Sequence, residues 1–499
     1  YLKQNGIELA KGTIENLYED QFNIYRAFTT AEEELYLYYV STDKEQKAKR
    51  QSILISRIKK MFKNLKEESD VVSKNTSILT AESTFNQMLS NIKDFKQGKE
   101  IDEIWFAVYN WYMQNDEWKP KLKEAIKGFS HKNDAEKITE ENIKRLYGNT
   151  LKTSVSRLEQ YRECPFSFHL KYGLKLKERE EFVVRPIDTG SFMHEVIDEF
   201  FENTKNIKTI EDQEVKEIVN SIIDEKLSLS KNYIFTSTPR FAVLTNILKK
   251  AILQSITYIV QQMKNSDFEI AGNEIEFNRK IDNVEITGKI DRIDTAQNEQ
   301  GKYIRIIDYK SSDRSINLNE LEAGTQIQLL TYLDTAVEKT KNIPVGMLYF
   351  NLIDPVIKAS RNLTDEQIQE ELKKQFRMSG MVLADVNIIR MMDKNLQTGA
   401  SSTIPVTLDK NGDIMDSRSN AITKEQFTLL QNKVKKIIKQ IAKEILEGNI
   451  EIKPTYNKGK KEEACKYCEY KSICCFNPNV NNYSFIDNKS KKELLDNLQ

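Results

Sequence analysis

Residues 303–312 read YIRIIDYKSS. Side chains of a strand alternate between its two faces, so Asp308 and Lys310 are expected to point the same way, in line with Ile304 and Ile306. The stretch reads as a half-buried strand from whose apolar row an acid and an amine emerge side by side. Such a pair either neutralises itself or does chemistry together. Just upstream, VEITGKIDRIDT at 284–295 alternates in the same way, with turn residues at Asp282–Asn283 and Asn298–Gly301. If the two stretches form a hairpin, Asp291 comes within about two residues of facing Asp308. Two carboxylates and one lysine leave one negative charge over. A hard divalent cation suits that excess, and Mg²⁺ typically takes one or two protein carboxylates and keeps its waters. A water acidified by a metal beside a lysine is a recipe for phosphodiester hydrolysis. Taken alone, an Asp…Asp-x-Lys pattern more often marks a surface salt bridge.

The totals set the frame. A chain of 499 residues is too long for one core, and roughly two to four domains are expected. Lys and Arg number 75 against 75 Asp and Glu, so net charge makes no case for a nucleic-acid partner and any basic groove must be local. No apolar run approaches the ~20 residues that cross a bilayer, and the polar start YLKQNGIELA is no signal peptide. The expectation is a fragment or processed chain of an intracellular, cytoplasmic protein with no membrane partner.

Along the chain, residues 45–150 carry mostly helical periodicity, with Trp105, Val108 and Trp111 forming a packed helix face. A short strand is expected to close the segment 25–40, and polar linkers at 63–76 and 128–141. A new unit opens near 151, with helices over 189–203 and 212–263, strands from about 268, a helix over 324–339 and a buried strand at VGMLYFNL. The last long helix, 424–447, has Thr423 and Gln426 as a capping box and Gly448 as its stop. The domains read as 1–62, 63–150, 151–480 and a tail 481–499: a small mixed sheet flanked by helices, set in a largely helical α/β chain.

Other residues join the acid–lysine pair. In DTGSFMHEVIDEFF, Gly190 precedes a helix whose first turn holds His194, with Met193, Val196, Ile197 and Phe200 as its buried stripe; a packing or capping histidine is the plainer reading. Gln328 and Tyr332 lie four apart on one helical face and can reach a phosphate or a base, or Tyr332 simply packs. Cys465-x2-Cys468-x5-Cys474 gives three thiols in a tight loop, and Cys164 can supply a fourth. Clustered thiols in a reducing compartment are metal ligands more often than disulfides. Four thiolates suit Zn²⁺ or an iron–sulfur cluster by ligand type. Cys475 is read as a spare or a small buried apolar residue.

Together, GSFMH, GKIDRID, DYKSS, QLLTY, YRECPFSF and CKYCEYKSIC resemble the RecB-like branch of the PD-(D/E)XK nucleases, and more closely the AddB-type members of the helicase–nucleases. The resemblance covers about 150–480. It implies His194, Asp291 and Asp308 as Mg²⁺ ligands, with a carbonyl near Tyr309 able to complete the set, and Lys310 as the catalytic lysine. It also implies Gln328 and Tyr332 as DNA contacts, and Cys164, Cys465, Cys468 and Cys474 around a [4Fe–4S] cluster, with Zn²⁺ as the alternative. The implied activity is exonucleolytic cleavage of single-stranded DNA, on the 5′-ended strand, beside an AddA-type partner during double-strand-break processing for recombinational repair. YRAFTTAEEELYLYY resembles the last motif of a superfamily 1 helicase, with Thr30 where an ATP-contacting arginine would stand. No phosphate-loop motif occurs, so no ATPase site is expected in these residues. The rival readings are a metal-stapled DNA-binding scaffold with an inert acid–lysine cluster, and a stand-alone exonuclease. Lys433, Lys435, Lys436, Lys439 and Lys443 are either a solvated face or a phosphate track.

Overall fold

The computed structural model describes residues 11–41, 48–67, 78–96, 99–130, 132–179, 181–355 and 364–496. They fall into two compact units, Tyr1–Phe129 and Ser130–Gln499. The polar stretch expected as a linker at 63–76 lies mostly outside the described residues.

The first unit is helical: α1 (Thr13–Thr29), α2 (Ile53–Met61), α3 (Ala81–Lys96), α4 (Ile104–Gln114) and α5 (Trp118–Lys127). Its core is Met88, Trp105, Tyr112, Trp118 and Leu122. Tyr112 donates its hydroxyl to Ala81 O at 2.5 Å and meets Trp118 edge-on, 5.5 Å between ring centroids. The expected aromatic stripe is thus corrected. Trp105 and Tyr112, seven apart, face inward, whereas Trp111 is half exposed because 105 and 111 drift round the helix. Residues 31–40 form no strand; Tyr36 and Tyr38 stand exposed, with no neighbouring strand to pair with among the described residues.

The second unit holds a seven-stranded mixed sheet. It begins with α6 (Glu140–Tyr147), β1 (Leu151–Thr153), α7 (Val155–Glu163) and α8 (Pro165–Phe168), and continues with α9 (Pro186–Asn203), α10 (Asp212–Ser228) and α11 (Pro239–Lys264). The helix expected over 212–263 is broken in two, since Pro239 opens α11 and the Thr238 hydroxyl caps it by accepting from Phe241 N at 3.2 Å. The strands β2 (Glu269–Ile281), β3 (Val284–Asn298) and β4 (Gly301–Lys310) then run antiparallel. Next come α12 (Leu318–Ala323), α13 (Gln328–Thr340), β5 (Ile343–Asn351), parallel to β4, and β6 (Ser379–Leu383). The helix expected over 324–339 forms as α13 but begins four residues later, at Gln328, and Gly324 at φ +84° closes the separate α12 before it.

The hairpin at 298–301 forms as expected, with Asn298 paired to Gly301 and Arg292 to Ile307. β2 lines one edge of β3 along most of its length, while the other edge is shared. β1 pairs there with 284–286 and β4 with 292–298. Residues 287–291 fall between these partners, and Asp291 stands where the sheet opens. β4 is buried on both faces rather than half-buried, with Ile304 and Ile306 at 0 % exposure and Arg305 and Ile307 at 1 %. Its central place between β3 and β5 explains this, α13 packing on one side and Arg305 lying over Phe268 on the other.

Chain segments far apart in sequence close the unit. Ile138 N donates to Gly448 O at 2.9 Å, and Tyr161 Oη to Asn449 O at 3.3 Å. The helix Lys424–Leu446 has its capping box as expected, Gln426 N to Thr423 Oγ1 at 3.3 Å and Thr423 N to Gln426 Oε1 at 2.9 Å. Within the segment expected as a tail, Ser484–Ile486 pairs in parallel with Thr455–Asn457, and Leu494 and Leu495 are buried; 497–499 lie outside the described residues. No described helix is long and apolar enough to cross a membrane.

Candidate active site and cysteine cluster

The open end of β3 gathers the chemistry. Asp291 Oδ2 accepts from Tyr309 N at 2.8 Å across the hairpin. Helix α9 brings His194, whose Nε2 lies 3.1 Å from Tyr309 O and whose Nδ1 lies 3.6 Å from Asp291. This helix starts earlier than expected, at Pro186, with Asp188 reaching back to Arg185 N at 2.9 Å, so His194 sits in its third turn and Gly190 inside it. The expected stripe of Met193, Val196, Ile197 and Phe200 is buried. A Cβ on Gly190 would stand 3.4 Å from Ser311 Oγ, an ordinary contact, so α9 passes beside the end of β4 without needing a glycine there.

Asp308 and Lys310 share a face, as the alternation requires, with Lys310 Nζ 2.7 Å from Asp308 Oδ2. Lys310 also donates to Gln328 Oε1 at 3.1 Å, and Gln328 Nε2 donates to Tyr332 Oη at 3.0 Å. Tyr332 packs edge-on against Phe277 and over Gly288, in the gap of the β3 edge. The six sequence-derived residues His194, Asp291, Asp308, Lys310, Gln328 and Tyr332 therefore meet at one place.

Two acids that the motifs did not flag complete it. Glu274 Oε1 lies 3.5 Å from His194 Nδ1, while its other oxygen pairs with Lys289 at 2.8 Å. His194, Glu274 and Asp291 offer ligand atoms all within 4.8 Å of one another, the only such group among the described residues. Glu159, on α7, accepts from Ile327 N at 2.6 Å and Gln328 N at 2.9 Å.

Electrostatics mark the site as built for a cation. Asp308 is 1 % exposed, and apart from the Lys310 ammonium neither of its oxygens accepts a hydrogen bond. A buried carboxylate left this way is costly unless another positive group reaches it. Burial, and next the charge on Asp308, push Asp291 up to about 7. Burial raises Asp308 too, against the pull of Lys310. Burial would lower His194, but Glu274, Asp291 and Asp308 outweigh it and hold its pKa above the ordinary value. The residues present thus fit a divalent cation held by His194, Glu274, Asp291 and Asp308.

The cysteines lie apart from these residues. Cys164 sits between α7 and α8, where burial raises its thiol while the backbone amides of Ser167, Phe166 and Lys453 pull the other way. Cys465 is buried, and its thiol is raised to about 12, by burial first and then by Cys164, Glu463, Cys468 and Cys474. Cys164, Cys468 and Cys474 thus all lie near enough to Cys465 for their charges to raise its thiol. Cys475 is not buried as expected: it is exposed in a left-handed conformation, φ +49°, with its Sγ turned to Ser472 O at 3.5 Å. On the last long helix, Lys433, Lys435, Lys439 and Lys443 lie within 4 Å of Glu322, Asp334, Asp282 and Glu447 of the same chain.

The sequence profile of the PD-(D/E)XK nuclease superfamily matches residues 152–475, and the chain belongs to that superfamily. A profile for the fifth domain of the ATP-dependent helicase/deoxyribonuclease AddB matches residues 75–128. The chain is 37 % identical to the B subunit of the ATP-dependent helicase/deoxyribonuclease of Clostridium novyi (strain NT), over 100 % of this chain and 46 % of that protein. It is 38 % identical to the protein of the same name from Clostridium acetobutylicum, over 99 % and 45 %. The corresponding Thermoanaerobacter sp. (strain X514) protein is 36 % identical, over 99 % and 45 %. The chain spans about half the length of these curated relatives. The resemblance to AddB-type proteins, drawn from motifs over 150–480, therefore extends through the first unit as well.

Proposed function

We propose that this chain is the nuclease part of an AddB-type helicase–nuclease subunit, a Mg²⁺-dependent exonuclease acting on single-stranded DNA, with the 5′-ended strand as its substrate. In this reading the protein works in the cytoplasm with an AddA-type partner to process broken ends for recombinational repair. The observation that supports it best is Asp308, a buried carboxylate whose one partner among the described residues is the Lys310 ammonium, near the Asp291–His194–Glu274 group. When bound, Mg²⁺ supplies a more acidic water and neutralises charge building on the phosphate. His194, Glu274, Asp291 and Asp308 hold the cation, and Asp291 is kept in place by Tyr309 N. Lys310, set by Gln328, orients the attacking water and takes up part of its negative charge. Tyr332 fixes the Gln328 amide, and Gln328 and Tyr332 serve in this reading as the contacts to the DNA strand. Cys164, Cys465, Cys468 and Cys474 hold a [4Fe–4S] cluster as a structural tie between the beginning and the end of the second unit.

The test is degradation of end-labelled single-stranded DNA by the full-length protein, with and without its partner, in the presence and absence of Mg²⁺. Wild type should degrade DNA only with Mg²⁺, and Lys310→Ala should lose the activity by at least about a hundredfold. Equal activity in both forms would point to another site, and inactivity of both beside an active partner would favour the scaffold reading.

A further inference from the structure

Lys310 has two anchors, Asp308 at 2.7 Å and Gln328 at 3.1 Å. Once Asp308 turns to a cation, Gln328 is the remaining hydrogen-bond partner of the amine among the described residues, with the Tyr349 ring 5.8 Å away. Gln328 is the first residue of α13, where backbone N–H groups have no partner inside the helix. The N-cap, Ile327, carries no polar side chain, so the helix start has no local cap. The missing acceptor comes from elsewhere in the chain: Glu159 Oε1 receives both Ile327 N and Gln328 N, at 2.6 and 2.9 Å.

Glu159 is itself firmly placed. Its helix, α7, buries Leu158 and Tyr161 on either side of it, and Arg162 pairs with Glu444 at 3.1 Å. A Cβ on Gly324 would come within 3.0 Å of Arg162 Cγ, so α7 lies directly against the turn that leads into α13. Five residues beyond Glu159, about 7 to 8 Å along the helix axis, the same helix ends at Cys164.

We propose, resting on the nuclease reading, that Glu159 is a positioning residue for Lys310: it caps α13 from α7, fixes Gln328, and so makes the placement of the amine depend on the helix that ends at Cys164. Glu159 touches no reacting atom. It also lies close enough to Lys310 for their charges to interact, but the hydrogen bonds run through the start of α13 to Gln328, and an acceptor oxygen at this point, charged or neutral, is what it supplies.

The test uses the full-length protein with its partner and the variants Glu159→Ala, Glu159→Asp, Glu159→Gln, Gln328→Ala and the double Glu159→Ala/Gln328→Ala. Glu159→Ala should lower kcat for single-stranded DNA about tenfold or more with KM within about twofold, because orientation rather than binding is lost. Glu159→Gln keeps an acceptor oxygen and should stay within about threefold of wild type. Glu159→Asp, which withdraws the carboxylate by one methylene, should fall between Gln and Ala. The double variant should be no slower than Gln328→Ala. Losses that multiply in the double variant, or a Glu159→Asp form as fast as wild type, would overturn the proposal. A second readout stands apart from cleavage: the rate at which sulfo-N-hydroxysuccinimide acetate acylates Lys310, followed by mass spectrometry. It should rise about threefold in Glu159→Ala and stay near wild type in Glu159→Gln. If wild type cleaves nothing, the nuclease reading fails while the labelling still decides the positioning; unchanged labelling in Glu159→Ala would overturn it.

Discussion

Asp291 and Tyr309 are joined across the hairpin, the Asp291 carboxylate accepting from the Tyr309 amide at 2.8 Å while the Tyr309 carbonyl meets His194 Nε2 at 3.1 Å. One peptide segment thus orients both an acid and an imidazole. The bond forms where β3 and β4 part, so it uses an amide that no further ladder partner requires. The two side chains are held ready before any cation arrives.

That readiness implies a proton exchange on binding. Burial and Asp308 push Asp291 up to about 7, so near neutrality a fraction of the molecules carry a proton that a cation must displace. Mg²⁺ or Mn²⁺ should bind more tightly at pH 8 than at pH 6, with about tenfold between them. Calorimetry in buffers of different ionisation heat should show proton release at pH 7; identical heats in all buffers would contradict it.

The same burial predicts a conflict between stability and function at Asp308. Apart from the Lys310 ammonium its oxygens have no partner, and burial raises its pKa against the pull of Lys310, so the ionised form costs folding energy when no cation is bound. Asp308→Asn should raise the melting temperature of the metal-free protein, by an amount equivalent to about 1 kcal/mol, while abolishing cleavage. Thermal unfolding in excess chelator is the check, and a lower melting temperature for the variant would count against it.

Glu274 is expected to act as a ligand. Glu274→Ala should weaken divalent-cation affinity by roughly tenfold or more, in the range that such losses take at metal sites. Lys289→Ala, which removes only the salt bridge to its other oxygen at 2.8 Å, should cost far less. Titration with Mn²⁺ followed by electron paramagnetic resonance separates the two variants.

Glu159 gives a pH signature of its own. Burial raises its pKa from 4.5 to about 7, despite the two amides that favour the charged form. An acid whose folded pKa is raised contributes stability that is present below its unfolded value and lost as pH rises through the folded one. Comparing wild type with Glu159→Gln by chemical denaturation, the balance should therefore shift toward the glutamine form between pH 4.5 and pH 7. A gap that stays constant over that window would refute the assignment.

If the cysteines hold an iron–sulfur cluster, protein purified without oxygen should carry iron and visible absorbance. Cys164→Ser should lose both, whereas Cys475→Ser should keep both, since Cys475 is exposed and turned to Ser472. A colourless wild type containing zinc would reverse the choice of metal.

Period and spacing made part of this architecture readable. The two-residue alternation placed Asp308 beside Lys310 and led through the hairpin to Asp291, and the four-residue helical step put Gln328 under Tyr332. Glu274 escaped because β2 shifts register between Ile270 and Gly272 and Glu274 itself adopts φ +46°, an irregularity that no simple alternation encodes. Glu159 escaped because its partners are backbone amides 168 and 169 residues away, which side-chain patterns do not announce. The start of α9 is not legible from Gly190, which resembles a helix border but lies inside a helix opened by Pro186.

The proposed tie between Cys164 and the thiols beginning at Cys465 also has a clock. At roughly 5–20 residues per second, a ribosome delivers the later thiols about 15–60 s after the first. Through that interval Cys164 is an unaccompanied thiol on a growing chain, and α7 must be held by whatever has already emerged, β1 against β3 and Glu159 against α13. The second unit can shape its reaction centre early, yet it can lock only when its last hundred residues have left the tunnel.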